Sequence, residues 1–160
     1  MSRPRVPRGR RRAAGVVLLG LLIALVLLGL TAMAACDVWA VAKRREQEQQ
    51  LLFVGEQYRA AIRRYHAVAP AGRPHTYPTS LEQLLEDRRF PTPQRHLRRL
   101  YPDPMTGAVD WRLDRLGEAI VGVRSSSAGA PLKQSGFPGP EQSFEGRAHY
   151  SDWAFDAGSG

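Results

Sequence analysis

The chain has a single cysteine, no acidic residue before Asp37, and no proline between the end of its apolar run and Pro70. A lone Cys36 cannot close an internal disulfide, which excludes a disulfide-stapled scaffold and any paired-cysteine redox or zinc site. The groups of recognisable catalysis are also sparse. His66, His75, His96 and His149 are scattered, and no H-E-x-x-H, G-x-S-x-G or phosphate-cradling loop occurs. A nucleophile, a base and an orienting group need partners within reach, and the sequence offers no such set, so an enzyme is poorly supported. The histidines read as surface or helix-end residues.

The formal charge of +8 does not point to nucleic acid once its distribution is followed. Arg3, Arg5, Arg8, Arg10, Arg11 and Arg12 precede every acid, and from Asp37 onward 17 Lys and Arg face 15 Asp and Glu. A surface that tracks phosphates would need the excess on the folded part, which is nearly neutral. The arginines instead flank an apolar run. Residues 16–35 comprise eight Leu, three Val, one Ile, four Ala, two Gly, one Thr and one Met, with no ionisable group. As a helix this run reaches about 30 Å, the thickness of a hydrocarbon core. The six arginines place its start in the cytoplasm, against a weaker opposing flank of Lys43, Arg44 and Arg45. The expected division is a basic leader (1–15), a transmembrane helix (16–36), the non-cytoplasmic half of the same helix (37–66) and a small head (67–160).

The opening has alternative fates. A secretory signal would have a shorter apolar region, about 7 to 15 residues, so anchoring fits better than removal. TAMAAC (31–36) sets Ala34 and Ala35 before Cys36, with Met33 where lipoproteins usually carry Leu, and a lipid anchor at Cys36 is one outcome. Against it, a helical pattern rather than a flexible tether follows Cys36. An uncut span is a second outcome, and a cut after Gly15 is a third.

Beyond the span, Leu51, Val54, Tyr58, Ile62 and Tyr65 recur at spacings of 3, 4, 4 and 3, the apolar stripe of an amphipathic helix and a candidate core. One helix over 16–66, on the order of 75 Å long, would join span and stripe. APAGRPHTYP (69–78) ends it. Thr79 and Glu82 read as a capping box for a short helix over 80–87, and 94–100 as a further helical turn. YPDPMTG (101–107) is turn chemistry. Val109, Trp111 and Leu113 alternate with polar residues, 115–118 turns, and AIVGVRSS (119–126) returns, which predicts a β-hairpin. A Gly, Pro and Ser-rich loop over 127–146, pinned by Phe137 and Phe144, leads to a last strand near Tyr150, Trp153 and Phe155, and the DAGSG end is expected to fray. The fold class expected is α+β: a long N-terminal helix packed on a small antiparallel sheet, with Trp111 and Trp153 in the core between them.

Several stretches resemble, in order, the pseudopilin-like proteins of bacterial type II secretion, within the type IV pilin superfamily. They are FVGEQYRAAIRRYH (53–66), YPTSLEQLLEDRRFP (77–91), HLRRLYPDPMTG (96–107), Trp111, PLKQSGF (131–137) and YSDWAF (150–155). The resemblance covers most of the chain from Leu51 on, and the DPMTG turn and the closing SDW are its most particular pieces. It implies a non-enzymatic subunit held in the bacterial inner membrane with its head in the periplasm. Prepilin peptidase would cut between Gly15 and Val16. The subunit would then pack helix against helix with other pseudopilins, on an inner-membrane assembly platform, into a short filament.

The likeness departs at the fifth position after that cut, where the family usually carries Glu and this chain has Gly20. Gly20 and Ala24 form a small-xxx-small pair that suits close helix packing. Major pseudopilins bind calcium in a C-terminal loop, and Glu145, Asp152 and Asp156 lie in the comparable region. Calcium takes about six to eight oxygens. The spacing of these acids matches no loop pattern, so they read as solvated acids beside Arg147, and no metal ligand or cofactor is assigned. The alternative class is a membrane-tethered domain, uncut or lipidated at Cys36, that only binds partners.

Overall fold

The computed structural model describes the backbone of residues 10–158 and the side chains of residues 15–30 and 38–158. Most of the basic leader, the Cys36 side chain and the last two residues lie outside the described residues, and so does the expectation of lipidation at Cys36. The chain divides into two compact units, Met1–Lys43 and Arg44–Gly160.

Helix α1 runs over Arg10–Ala67, 58 residues. It carries no proline, and the strong helix formers Leu, Ala, Arg, Glu and Gln dominate it. Its start lies inside the stretch read as leader, so residues 10–15 are already helical. Arg64 and His66 occupy the last turn, where a cation suits the negative end of the helix dipole. The Val68 N–H still bonds the Arg64 carbonyl at 3.1 Å, and Pro70 cannot continue the pattern.

In the second unit the stripe of Leu51, Val54, Tyr58, Ile62 and Tyr65 is buried, each at most 8% exposed. Opposite it lies an antiparallel sheet of three strands, in the order β1-β2-β3. They are β1 (Arg112–Leu116), β2 (Ala119–Arg124) and β3 (Ala154–Asp156). The unit is therefore α+β. Strands β1 and β2 close on Gly117 and Glu118, a tighter turn than the 115–118 expected, and Gly117 supplies the φ of 62° that a two-residue hairpin requires. A bulge between Asp114 and Arg115 leaves Val121 without an opposite residue. Val109 stays outside the strand and is 52% exposed.

Ile120, Val123 and Phe155 carry the sheet side of the core. Helix and sheet approach closely at Gly55, where an added Cβ would sit 2.4 Å from the Phe155 ring. The two tryptophans serve different parts of the core. Trp111 stacks at a tilt on Tyr58, ring centroids 5.2 Å apart, and its Nε1–H donates to the Tyr101 carbonyl at 2.8 Å. Trp153 lies parallel to Phe144 at 5.3 Å and edge-on to Phe137 and Tyr150, so it closes a cluster built largely from the long C-terminal loop. Each large side chain so buried contributes roughly 1.5–3 kcal/mol of transfer free energy. That is how a Gly and Pro-rich loop acquires a fixed path. It also carries a 3-10 turn at Gly139–Phe144 that the sequence pattern does not announce.

Further sequence expectations are corrected. The helix expected over 80–87 is one 3-10 turn, Leu81–Leu84. Its clamp is Gln83 rather than Glu82: the Thr79 N–H donates to Gln83 Oε1 at 2.9 Å, and Gln83 Nε2 donates to Thr79 Oγ1 at 3.1 Å. The stretch 94–100 is not helical, because Gln94 bridges to Asp87 and the N–H groups of His96 and Leu97 both bond the Leu84 carbonyl. The C-terminal stretch does not fray at its start: Asp156 belongs to β3, and Ala157 is buried with its N–H on the Val121 carbonyl at 2.8 Å.

Candidate functional site

The first unit presents an apolar helical surface. From Val16 to Leu30 every large apolar side chain is more than half exposed, from 52% at Leu22 and Ile23 to 71% at Val16 and Val17. A helix apolar on every side belongs in a core or in lipid, since water favours neither its face nor its back. Gly20 and Ala24 lie one turn apart on this surface, and a Cβ added at Gly20 meets nothing within 4 Å. Gly15 and Val16 lie inside α1, on helical backbone. Among the described residues no helix is long and apolar enough to cross a membrane. The described side chains of the apolar run stop at Leu30, short of its end at Ala35.

The second unit is fastened by three buried carboxylates, Glu48, Asp87 and Asp103, which are 4%, 1% and 0% exposed. A carboxylate removed from water must be met by donors, and each of these meets a different loop. Glu48 projects from α1, and its Oε1 accepts the N–H groups of Leu132 and Lys133 and, at 2.8 Å, the Tyr150 hydroxyl. Burial first, then the hydrogen bond to Glu48 and its charge, push the Tyr150 hydroxyl well above the usual tyrosine range. Asp103, in the DPMTG turn, accepts the Met105 N–H at 2.9 Å as an Asx-turn, then the Ser125 hydroxyl at 2.7 Å and the Ser126 N–H at 3.1 Å. The same turn is tied to the helix, because Gln47 Nε2 donates to the Pro104 carbonyl at 3.0 Å.

Asp87 is held by Arg89 through two parallel bonds of 2.9 and 2.7 Å, by the Arg89 N–H at 3.0 Å and by His96 Nε2 at 3.0 Å. Burial would raise its pKa, but the hydrogen bonds of Arg89 and His96 prevail and hold it at about 2. An ionised Asp87 only accepts, so His96 Nε2 is the donor of this bond. His96 is thus 6% exposed and structural, a correction to its reading as a surface residue. His66 is half-buried and stacks on Tyr77 at 4.1 Å, while His75 and His149 are exposed and bond backbone carbonyls.

Asp87 and His96 face each other, with Arg89 on the carboxylate and the Tyr65 ring edge-on to the imidazole, and Arg89 also reaches the Thr76 hydroxyl at 3.4 Å. The acids of the C-terminal region act locally. Glu145 accepts from the N–H groups of Gly136 and Phe137, Asp152 from His149 and Asp156 from Gly158. Among the described residues no group of three His, Cys, Asp or Glu could hold a metal ion.

Sequence reasoning assigned no role to Glu48 or to the Asp87–Arg89–His96 group. The Asp-Pro of DPMTG was the one available signal, since Asp opening a turn tends to bond its own backbone two residues on. No family model, curated protein or solved structure matches the chain.

Proposed function

We propose that the protein is a non-enzymatic, pseudopilin-like subunit or assembly component of a type II secretion or type IV pilus-like machine, held in the bacterial inner membrane with its head in the periplasm. The observation that carries this reading is α1 itself. One uninterrupted helix, Arg10–Ala67, is apolar and exposed over 16–30 and supplies the core stripe of an α+β head over 51–65. A helix of that kind needs an apolar medium or neighbouring helices for one part of its length, and both roles suit a subunit that waits in a bilayer and then packs into a filament.

The resemblance adds support at particular residues. The DPMTG turn surrounds the buried Asp103, the PLKQSGF stretch supplies the N–H groups held by Glu48, and the SDW stretch supplies Trp153. The motif pieces are therefore the fastenings of the head. Gly20, in place of the usual Glu, cannot form an ion pair with a neighbour's N-terminal amine, so entry into a filament would rest on helix packing and on the head. Partners in this reading are other pilin-like subunits, prepilin peptidase and an inner-membrane assembly platform.

Helix packing is tested by Gly20→Leu, which places a large side chain where close approach is needed. Co-purification with co-expressed partner pilins should fall while the head stays folded by circular dichroism. Unchanged recovery of partners would remove packing at Gly20 from the account.

A further inference from the structure

Of the three tryptophans, Trp111 and Trp153 are 7% and 0% exposed, whereas Trp39 on α1 is 79% exposed. Val38 and Val41 beside it are 68% and 47% exposed, and among the described residues the Trp39 side chain makes no hydrogen bond or ring contact within the chain. Lys43 follows one turn later on the same helical face and opens a run of three cations, Lys43, Arg44 and Arg45. We propose that Trp39 and Lys43 form an interfacial belt that seats in the phospholipid headgroup layer on the far side of the membrane from the leader, Trp39 at the carbonyl level and Lys43 on the lipid phosphates.

The depth follows from helix geometry. Trp39 lies four residues beyond Ala35, the end of the apolar run, or about 6 Å along the axis, and the headgroup layer is roughly 5–7 Å thick on each side. Helical side chains tilt toward the N-terminus, so the indole leans back toward the apolar run and the Lys43 ammonium reaches back to the phosphates. An indole is apolar over its rings and wet at its N–H, which is why tryptophan collects at this level. Phospholipid is the occupant favoured by charge complementarity, because a cation directly follows the exposed apolar group. The belt would fix how far the helix stands out of the bilayer.

This inference rests on the membrane reading, and one experiment separates the failure of each. The full chain is reconstituted in vesicles of phosphatidylcholine with phosphatidylglycerol, and the Trp39 signal is taken as the difference between wild type and Trp39→Phe. Co-flotation with the vesicles tests the membrane reading by itself; if the protein stays behind, that reading and the belt both fall. With the protein floating, Trp39 emission should be quenched more by a nitroxide on the lipid headgroup than by bromine deep in the acyl chains, and little by iodide in the water. Stronger quenching from the deep position, quenching by iodide alone, or protection from all three as under a protein partner, would each overturn the belt while leaving the membrane reading in place.

Discussion

Asp87 has the most easily read chemistry of any single residue in the head. Its carboxyl is held at about 2 against an ordinary 3.8, so its folded form binds a proton less readily than its unfolded form. The stability this confers is fully present above the unfolded value near 4 and is lost as the pH falls toward 2, with a total of roughly 2–3 kcal/mol. Chemical denaturation of the full chain in detergent, repeated between pH 5 and 2, should show this loss, and Asp87→Asn should flatten it. An unchanged slope in that variant would mean that other acids set the acid response. Trp111 makes a second residue-scale case. Its ring packs on Tyr58 and its N–H satisfies the Tyr101 carbonyl, so Trp111→Ala should cost about 3–5 kcal/mol. Thermal melting followed by near-ultraviolet circular dichroism checks this, and near-native melting would contradict it.

At the scale of elements, what was legible and what was not divide along a physical line. The stripe on α1 and the hairpin announce themselves because burial imposes a period on the sequence, 3.6 in one and 2 in the other. The segments 80–87 and 94–100 read as helical because their local pattern is helical, while long-range bonds decide the outcome: the Leu84 carbonyl takes two N–H groups from 96 and 97, and Asp87 pairs with Gln94. No local window contains that information. Glu48 was hidden for a similar reason, as one acid in a polar stretch whose partners lie more than eighty residues away. Gly55 hides differently, because a helical glycine ordinarily reads as a defect. In an open helix Gly→Ala gains about 1 kcal/mol. Here the Cβ would enter the Phe155 ring, so Gly55→Ala should destabilise by about 1–3 kcal/mol, and Phe155→Leu in the same chain should recover part of it. A stabilising Gly55→Ala, read from the denaturant midpoint, would show that helix and sheet do not meet so closely in solution.

For the molecule as a whole, the expectations rest on charge and hydropathy. Six arginines before an apolar run of twenty residues are the basis of the orientation that the proposed function assumes, and the near-neutral remainder is the basis for expecting no nucleic-acid partner. The head's fold follows from the α1 stripe, the hairpin and the aromatic loop cluster, and the role proposed for it follows from the helix that enters it. That role makes one demand on the beginning of the chain: the leader must be removed after Gly15, which frees the apolar helix from its cytoplasmic arginines. The intact mass of the protein purified from membranes of cells that contain prepilin peptidase tests this most directly. The account predicts a chain beginning at Val16. A mass that retains Met1, or one that begins at a lipid-modified Cys36, would contradict it and leave a membrane-tethered binding domain in its place.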